Sequence, residues 1–433
     1  MRSCEQDSTF TATPTSGRRL AGIEGLRAVA ALSVMIGHFN LHLVPDHVLS
    51  PALHRVLNAA GQGLTLFFVL SGFLLFGPFL TAAARRAPFN IPQYFTNRIL
   101  RIYPAYVVIF IVVTFGLGLA YTHPALLGGA GVEGTADILG RISDPGIIAA
   151  NLLLAHTLTP WTIKTGLGVS WSLTTEVCFY LVLPLLAFGT VHLSRRMGLQ
   201  RAAIAVSFGM IVLGLACRTT GLAQVHGDPA AQFYLQWGGN WLAVYLRSIL
   251  CQADLFGVGM LAAIVFHTTA TLVDSISPRS LQIGLWCAMA AGLILTRLDR
   301  DFGFAVFFAA LMLIVTAATI DGRTNRLAAV LEWGPIRWLG TISYSFYLWH
   351  LPVIWGLFRW YWQGRRPDTF EDIALSFVLA LAITAALSTA TYLAIERPAL
   401  KLKSKPFERK LRAALFRHGT ASSAAAKHRS IAD

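Results

Sequence analysis

Charge is what this chain has least of. Asp, Glu, Lys and Arg make up 13% of its residues, against roughly 25% in a soluble domain. Hydrophobic residues make up 55%, and mean hydropathy is +0.59. Cysteine is sparse and scattered: Cys4, Cys178, Cys217, Cys251 and Cys287. That spacing suggests neither a disulfide framework nor a metal site, and no metal is expected. The first 17 residues are rich in Ser and Thr and lack an apolar segment, so no cleaved signal peptide is expected. No internal repeat stands out, which counts against a transporter built from duplicated halves.

What remains is a series of apolar runs, each about 20 residues long and therefore long enough to cross a bilayer as a helix. Ten can be drawn: 22–43, 61–83, 99–120, 168–191, 200–217, 243–267, 281–297, 302–320, 336–358 and 372–395. The fold class expected is all-α, a polytopic integral membrane protein of about ten transmembrane helices. Residues 1–19 read as a disordered tail, 20–398 as the transmembrane domain, and 399–433 as a basic, disordered cytoplasmic tail. The connection 121–167 is the longest, and its apolar piece "PGIIAANLLLAHTLTPW" reads as a partial helix on the outer side.

The net charge of +14 invites a nucleic-acid reading, but its distribution argues against one. Ten of the 35 Lys and Arg lie between Arg397 and Arg429. Others sit in short connections such as Arg85-Arg86 and Arg195-Arg196. Basic residues beside spans set orientation, and here they favour both termini inside.

Ionisable residues within the spans are costly and point to function by default. In "GLRAVAALSVMIGHF", Arg27 and His38 are eleven residues apart, three turns along nearly one helix face. Glu176 in "SWSLTTEVCFY", Asp254 in "CQADLFGVGM" and His350 in "SYSFYLWHLP" fall at a similar mid-bilayer depth to His38. Four titratable groups at one depth suggest one polar cavity. Each also has a plainer reading: His38 as a packing residue, His350 as one of a group of interfacial aromatics with Tyr347 and Trp349, Glu176 and Asp254 as ion-pair partners of Arg247 or Arg27. A neutral imidazole with a carboxylate suits proton abstraction, and it suits proton-coupled transport equally.

In "RILRIYP", Arg98 and Arg101 stand three residues apart on one helix face at the expected cytoplasmic edge. Paired guanidinium groups suit phosphate binding, and they also serve as a topology signal. Ser71-Gly72 in "FFVLSGFLLF" lets a helix or a ligand approach closely, and packing is the preferred reading for Gly72.

Taken together and in order, these segments resemble the membrane acyltransferase family 3, the integral O-acyltransferases. Arg27 and His38 look like its first-span motif, with Glu24 where the family often has Asp. "FFVLSGF", "RILR", "SWSLTTE", "YSFYLWHLP" and the "IERP" of Ile395–Pro398 are similar to its other motifs. One departure is Gln252, where the family often places Arg two residues before the Asp. The resemblance implies acyl-CoA as donor substrate, with no bound cofactor, and a hydroxyl acceptor on a sugar, glycolipid or macrolide-type molecule. It implies a protein of the bacterial cytoplasmic membrane. On this basis His38 is expected as general base, with a covalent acyl-histidine as the other mechanism. Glu176 orients or charge-balances His38, or binds the acceptor. Arg27, Arg98, Arg101 and Ser71 bind the donor, and Asp254, Tyr347 and His350 support donor or acceptor. The C-terminal SGNH-type domain of some relatives is not expected here, so transfer is direct or completed by a separate enzyme. The alternative is a proton-coupled exporter of glycans or lipophilic compounds.

Overall fold

A computed structural model describes residues 20–122, 139–271, 278–321 and 326–403. The expected tail at 1–19, and the expected tail at 399–433 apart from residues 399–403, lie outside the described residues. The protein is helical almost throughout. Its long helices are α1 (Ile23–Leu43), α3 (Gly63–Ala84), α4 (Ile91–Ile111), α6 (Trp171–Met197), α7 (Leu199–Leu222), α10 (Ile249–Thr271), α12 (Arg300–Asp321) and α16 (Phe370–Thr391). Shorter helices lie between or beside them: α2 (Pro51–Ala60), α5 (Pro145–Leu152), α8 (Pro229–Trp237), α9 (Trp241–Arg247), α11 (Pro278–Leu295), α13 (Arg326–Leu331), α14 (Gly334–Thr341), α15 (Ser343–Gly356) and α17 (Arg397–Lys401). The described strands are the two-residue pair Ala120–Tyr121 and Leu139–Gly140.

Eight described helices are long and apolar enough to cross a membrane, and a further apolar helix is shorter. This is a multi-pass membrane protein. The expected span 336–358 is not one helix. It breaks at Ile342 (φ −89°, ψ 3°) into α14 and α15. Every residue of α15 is buried, so that segment is part of the protein core.

Helix starts follow their capping chemistry. The side chains of Ser50, Asn90, Asp144 and Asp228 accept from backbone N–H groups of α2, α4, α5 and α8, each with Pro in the first turn. Three helices end in wider π turns, at Val112–Leu117, Leu357–Tyr361 and Tyr392–Glu396. Such turns recur at functional sites, and the last one sets Glu396 into the core at 2% exposure.

Helix α10 is the central post, packed most extensively against α7 and α3. The close approach to α3 requires two glycines. A Cβ on Gly72 would lie 2.2 Å from the Phe256 carbonyl oxygen, and one on Gly259 would lie 2.1 Å from that of Val69. The packing reading of Gly72 therefore holds. On the other side α1 packs against α14, α15 and α3. The apolar piece of the long connection does form a helix, α5. It is tied inward by the buried Asn151, whose carbonyl accepts from Tyr106 Oη at 2.9 Å and whose amide donates to Thr165 Oγ1 at 2.9 Å.

Candidate active site

A cavity of about 370 Å³ opens between α1, α3, α4, α6 and α15. Six residues singled out in the sequence line it: Arg27, Ser71, Arg98, Arg101, Glu176 and Tyr347. They come from five helices far apart in the chain.

One end of the cavity is basic. Arg27, Arg98 and Arg101 are joined there by Lys403, just past α17. Leu400 and Lys403 fall beyond the boundary drawn at 398, yet both line the cavity. The carboxylates nearby do not match this charge fully. Arg27 Nη1 is 3.7 Å from Glu24 Oε2, and Arg101 Nη1 is 3.4 Å from Glu396 Oε2. Glu396 also accepts from Ser345 Oγ. Arg98 Nε and one terminal nitrogen of Arg101 are buried donors with no partner among the described residues. Arg98 lies 5.7 Å from the ring centre of Tyr180, and Arg101 lies 5.8 Å from that of Tyr344. Burial, with repulsion from Arg98, Arg101 and Arg27, pulls the Lys403 ammonium down to about 8. Buried donors without acceptors, set among like charges, are the electrostatic signature of an anion site.

Along the wall, Glu176 Oε1 accepts from Ser71 Oγ at 2.7 Å and from Tyr180 Oη at 2.5 Å. Tyr347 Oη donates to the Val169 carbonyl at 2.9 Å and lies 2.6 Å from Ser172 Oγ. The Tyr347 ring packs edge-on against Phe67 at 5.8 Å, and both rings line the cavity.

His38 and His350 do not line the cavity; they adjoin it through Tyr347. The Tyr347 and His350 ring centres are 5.7 Å apart. His38 Nδ1 lies 3.0 Å from His350 Nε2, so the hydrogen-bond partner of His38 is His350 and not Glu176. The expected orienting role of Glu176 is corrected accordingly: its carboxylate is engaged by α3 and by its own helix. His350 is fully buried, and its Nδ1 faces the Phe346 carbonyl at 3.3 Å.

Asp254 stands apart. It is fully buried in a two-point ion pair with Arg218 of α7, at 2.8 and 2.6 Å. Arg218 continues to Asp299 at 2.9 Å. The expected partners Arg247 and Arg27 are engaged elsewhere. Arg247 donates to the Gln236 and Ala243 carbonyls and stacks 3.9 Å over Trp237. Asp254 does not line the cavity, and both of its carboxylate oxygens are taken up by Arg218.

Besides Lys403, four neighbours of the site were not singled out from sequence. His42 is one turn after His38, its ring parallel at 6.0 Å and 4.6 Å from Trp355. The i, i+4 spacing in "HFNLHL" carries that signal. Tyr180 stands four residues after Glu176, and Glu396 lies within the quoted "IERP". Lys164 has no sequence signal. It sits in the connection before α6 with a left-handed backbone (φ 63°), its ammonium 5.3 Å from the Trp237 ring centre. Burial, with Arg247 adding, pulls it down to about 7. Among the described residues, no group of three or more His, Cys, Asp or Glu is placed to hold a metal ion.

No solved structure matches this fold. Sequence relatives are extensive. YrhL of Bacillus subtilis is 25% identical over 91% of this chain and 57% of its own length. The peptidoglycan O-acetyltransferase OatA of Listeria monocytogenes is 26% identical over 79% of this chain and 50% of its own. The O-acetyltransferase OatA of Staphylococcus aureus is 24% identical over 90% and 59%. The chain thus spans between 50% and 59% of the length of these relatives. The match to the family described as the acyltransferase domain runs over residues 20–393, nearly every described helix, and the chain belongs to that acyltransferase family.

Proposed function

We propose that this protein is an integral membrane O-acyltransferase, moving an acetyl or another short acyl group from acyl-CoA to a glycan hydroxyl. One observation carries the reading: an under-compensated basic cluster at one end of a cavity whose wall, at Tyr347, adjoins a histidine pair. A CoA thioester has the complementary shape. It carries several phosphate charges at one end and a reactive carbonyl at the end of a long neutral arm. Arg27, Arg98, Arg101 and Lys403 hold the phosphates, with guanidinium groups supplying two-point contacts. The arm runs past Ser71 and Glu176 toward Tyr347. No bound cofactor is needed.

His38 acts as general base. Its neutral imidazole takes the proton of the acceptor hydroxyl as that oxygen attacks the thioester carbonyl. The carbon–sulfur bond then breaks, and the CoA thiolate leaves and takes up the proton. With both termini inside, the basic end opens to the cytoplasm, where acyl-CoA is made, and the protein resides in the bacterial cytoplasmic membrane. A glycan acceptor accords with relatives named for peptidoglycan O-acetylation. Family membership counts against the exporter alternative.

The test is release of free thiol from acetyl-CoA by purified protein, with and without a muropeptide acceptor, beside His38→Ala. Acceptor-stimulated release that disappears in His38→Ala supports the reading. Folded wild-type protein that releases no thiol from acetyl-CoA or longer acyl-CoAs overturns it.

A further inference from the structure

We infer that His350 is a positioning residue: with the Phe346 carbonyl it sets which nitrogen of His38 carries the proton. The inference rests on the reading of His38 as general base and adds the device that makes it one.

A backbone carbonyl can only accept. The Phe346 oxygen lies 3.3 Å from His350 Nδ1, so that nitrogen carries the hydrogen. A neutral imidazole has one N–H, which leaves His350 Nε2 as a bare acceptor. It faces His38 Nδ1 at 3.0 Å, so His38 Nδ1 must be the donor of that bond. The single hydrogen of His38 is thereby spent, and its Nε2 lone pair is free to take a proton. The opposite arrangement would place a bare His350 Nδ1 against a carbonyl, two acceptors facing one another in a fully buried site.

The rest of the core holds this chain of two bonds in place. Phe346 and His350 are four residues apart on α15, so the helix itself fixes the first bond. His350 is followed at one residue's remove by Pro352, inside the helix. All of α15 is buried, with Trp349 anchored to Thr391 Oγ1 at 3.0 Å. His350 therefore cannot swing away to solvent. When His38 takes the acceptor's proton at Nε2, its Nδ1–H remains bonded to a neutral ring. The pair thus orients the imidazolium without a carboxylate.

Two conservative replacements separate this role from mere packing. A Gln amide reaches where His Nε2 stands, so His350→Gln keeps an acceptor for His38 Nδ1–H. An Asn amide reaches only where Nδ1 stands, so His350→Asn keeps the bond to Phe346 but abandons His38. We expect His350→Gln to retain kcat within about tenfold and His350→Asn to lose about a hundredfold, in the range of general-base contributions. Donor KM should change in neither, and thermal unfolding in detergent checks that both fold. Independently of activity, 15N NMR of histidine-labelled protein, with His38 assigned by comparison with His38→Ala, reports the tautomer directly. Wild type should show a protonated Nδ1 and a bare Nε2 at His38, kept in His350→Gln and lost in His350→Asn. A protonated Nε2 in active wild-type protein overturns this inference and leaves the general-base reading standing. Full transfer by His38→Ala overturns the general-base reading instead, whatever the tautomer.

Discussion

Asp254→Asn should damage the fold and leave the donor site intact. In the wild type, Arg218 makes four hydrogen bonds: two to Asp254, one to Asp299 Oδ2 at 2.9 Å and one to the Cys251 carbonyl at 3.1 Å. The substitution keeps the shape but removes the charge that neutralises a guanidinium only 5% exposed. Breaking one side of a buried ion pair costs about 3–5 kcal/mol. Asp299 stays in contact, with 17% of its side chain exposed, which places the expected loss near the lower end, about 3 kcal/mol. A double variant, Asp254→Asn with Arg218→Gln, should recover part of it, because no uncompensated guanidinium is left. The assay is thermal unfolding in detergent for the four members of the cycle, with donor KM measured on the surviving fraction. An Asp254→Asn protein as stable as wild type but inactive would refute this reasoning and restore Asp254 to the site.

Lys403→Met should raise donor KM severalfold with kcat little changed, and Arg98→Lys should do the same by losing two-point geometry. The Lys403 ammonium is held down at about 8, so it loses its proton as pH rises through that value. Donor KM should accordingly climb between pH 7 and 9 in wild type and climb less in Lys403→Arg. Lys164, held at about 7 by burial, binds fewer protons folded than unfolded between about 7 and its ordinary range near 10.4. Folding stability therefore rises with pH across that window, and Lys164→Met should flatten the rise in unfolding experiments. Gly72→Ala forces α3 and α10 apart at the Phe256 carbonyl and should cost about 1–3 kcal/mol, read as a lowered unfolding temperature.

The long helices were legible because a bilayer leaves a chain few choices: about 20 apolar residues that satisfy their own backbone form a helix. Arg98 and Arg101 were legible as a pair because helical phase alone puts them on one face. Their grouping with Arg27 came only as an implication of the family resemblance. Lys403 escaped notice because a basic residue beside the last span looks like any orientation signal. The segment 336–358 misled for a related reason. Hydropathy does not distinguish a lipid-facing helix from one buried in protein, and here the buried part is broken off at Ile342.

Depth within a span is additive, at 1.5 Å per residue, so the sequence by itself led to the expectation that His38, Glu176, Asp254 and His350 share a level. Rotation about the helix axis relative to neighbours is set by packing, at contacts such as Gly72 against Phe256. Only the tertiary structure therefore decided the pairings. It gave His38 to His350, 312 residues away, Glu176 to Ser71 and Tyr180, and Asp254 to Arg218. The four groups fall into three separate networks, because side chains a few ångströms long reach only the helices their own face meets.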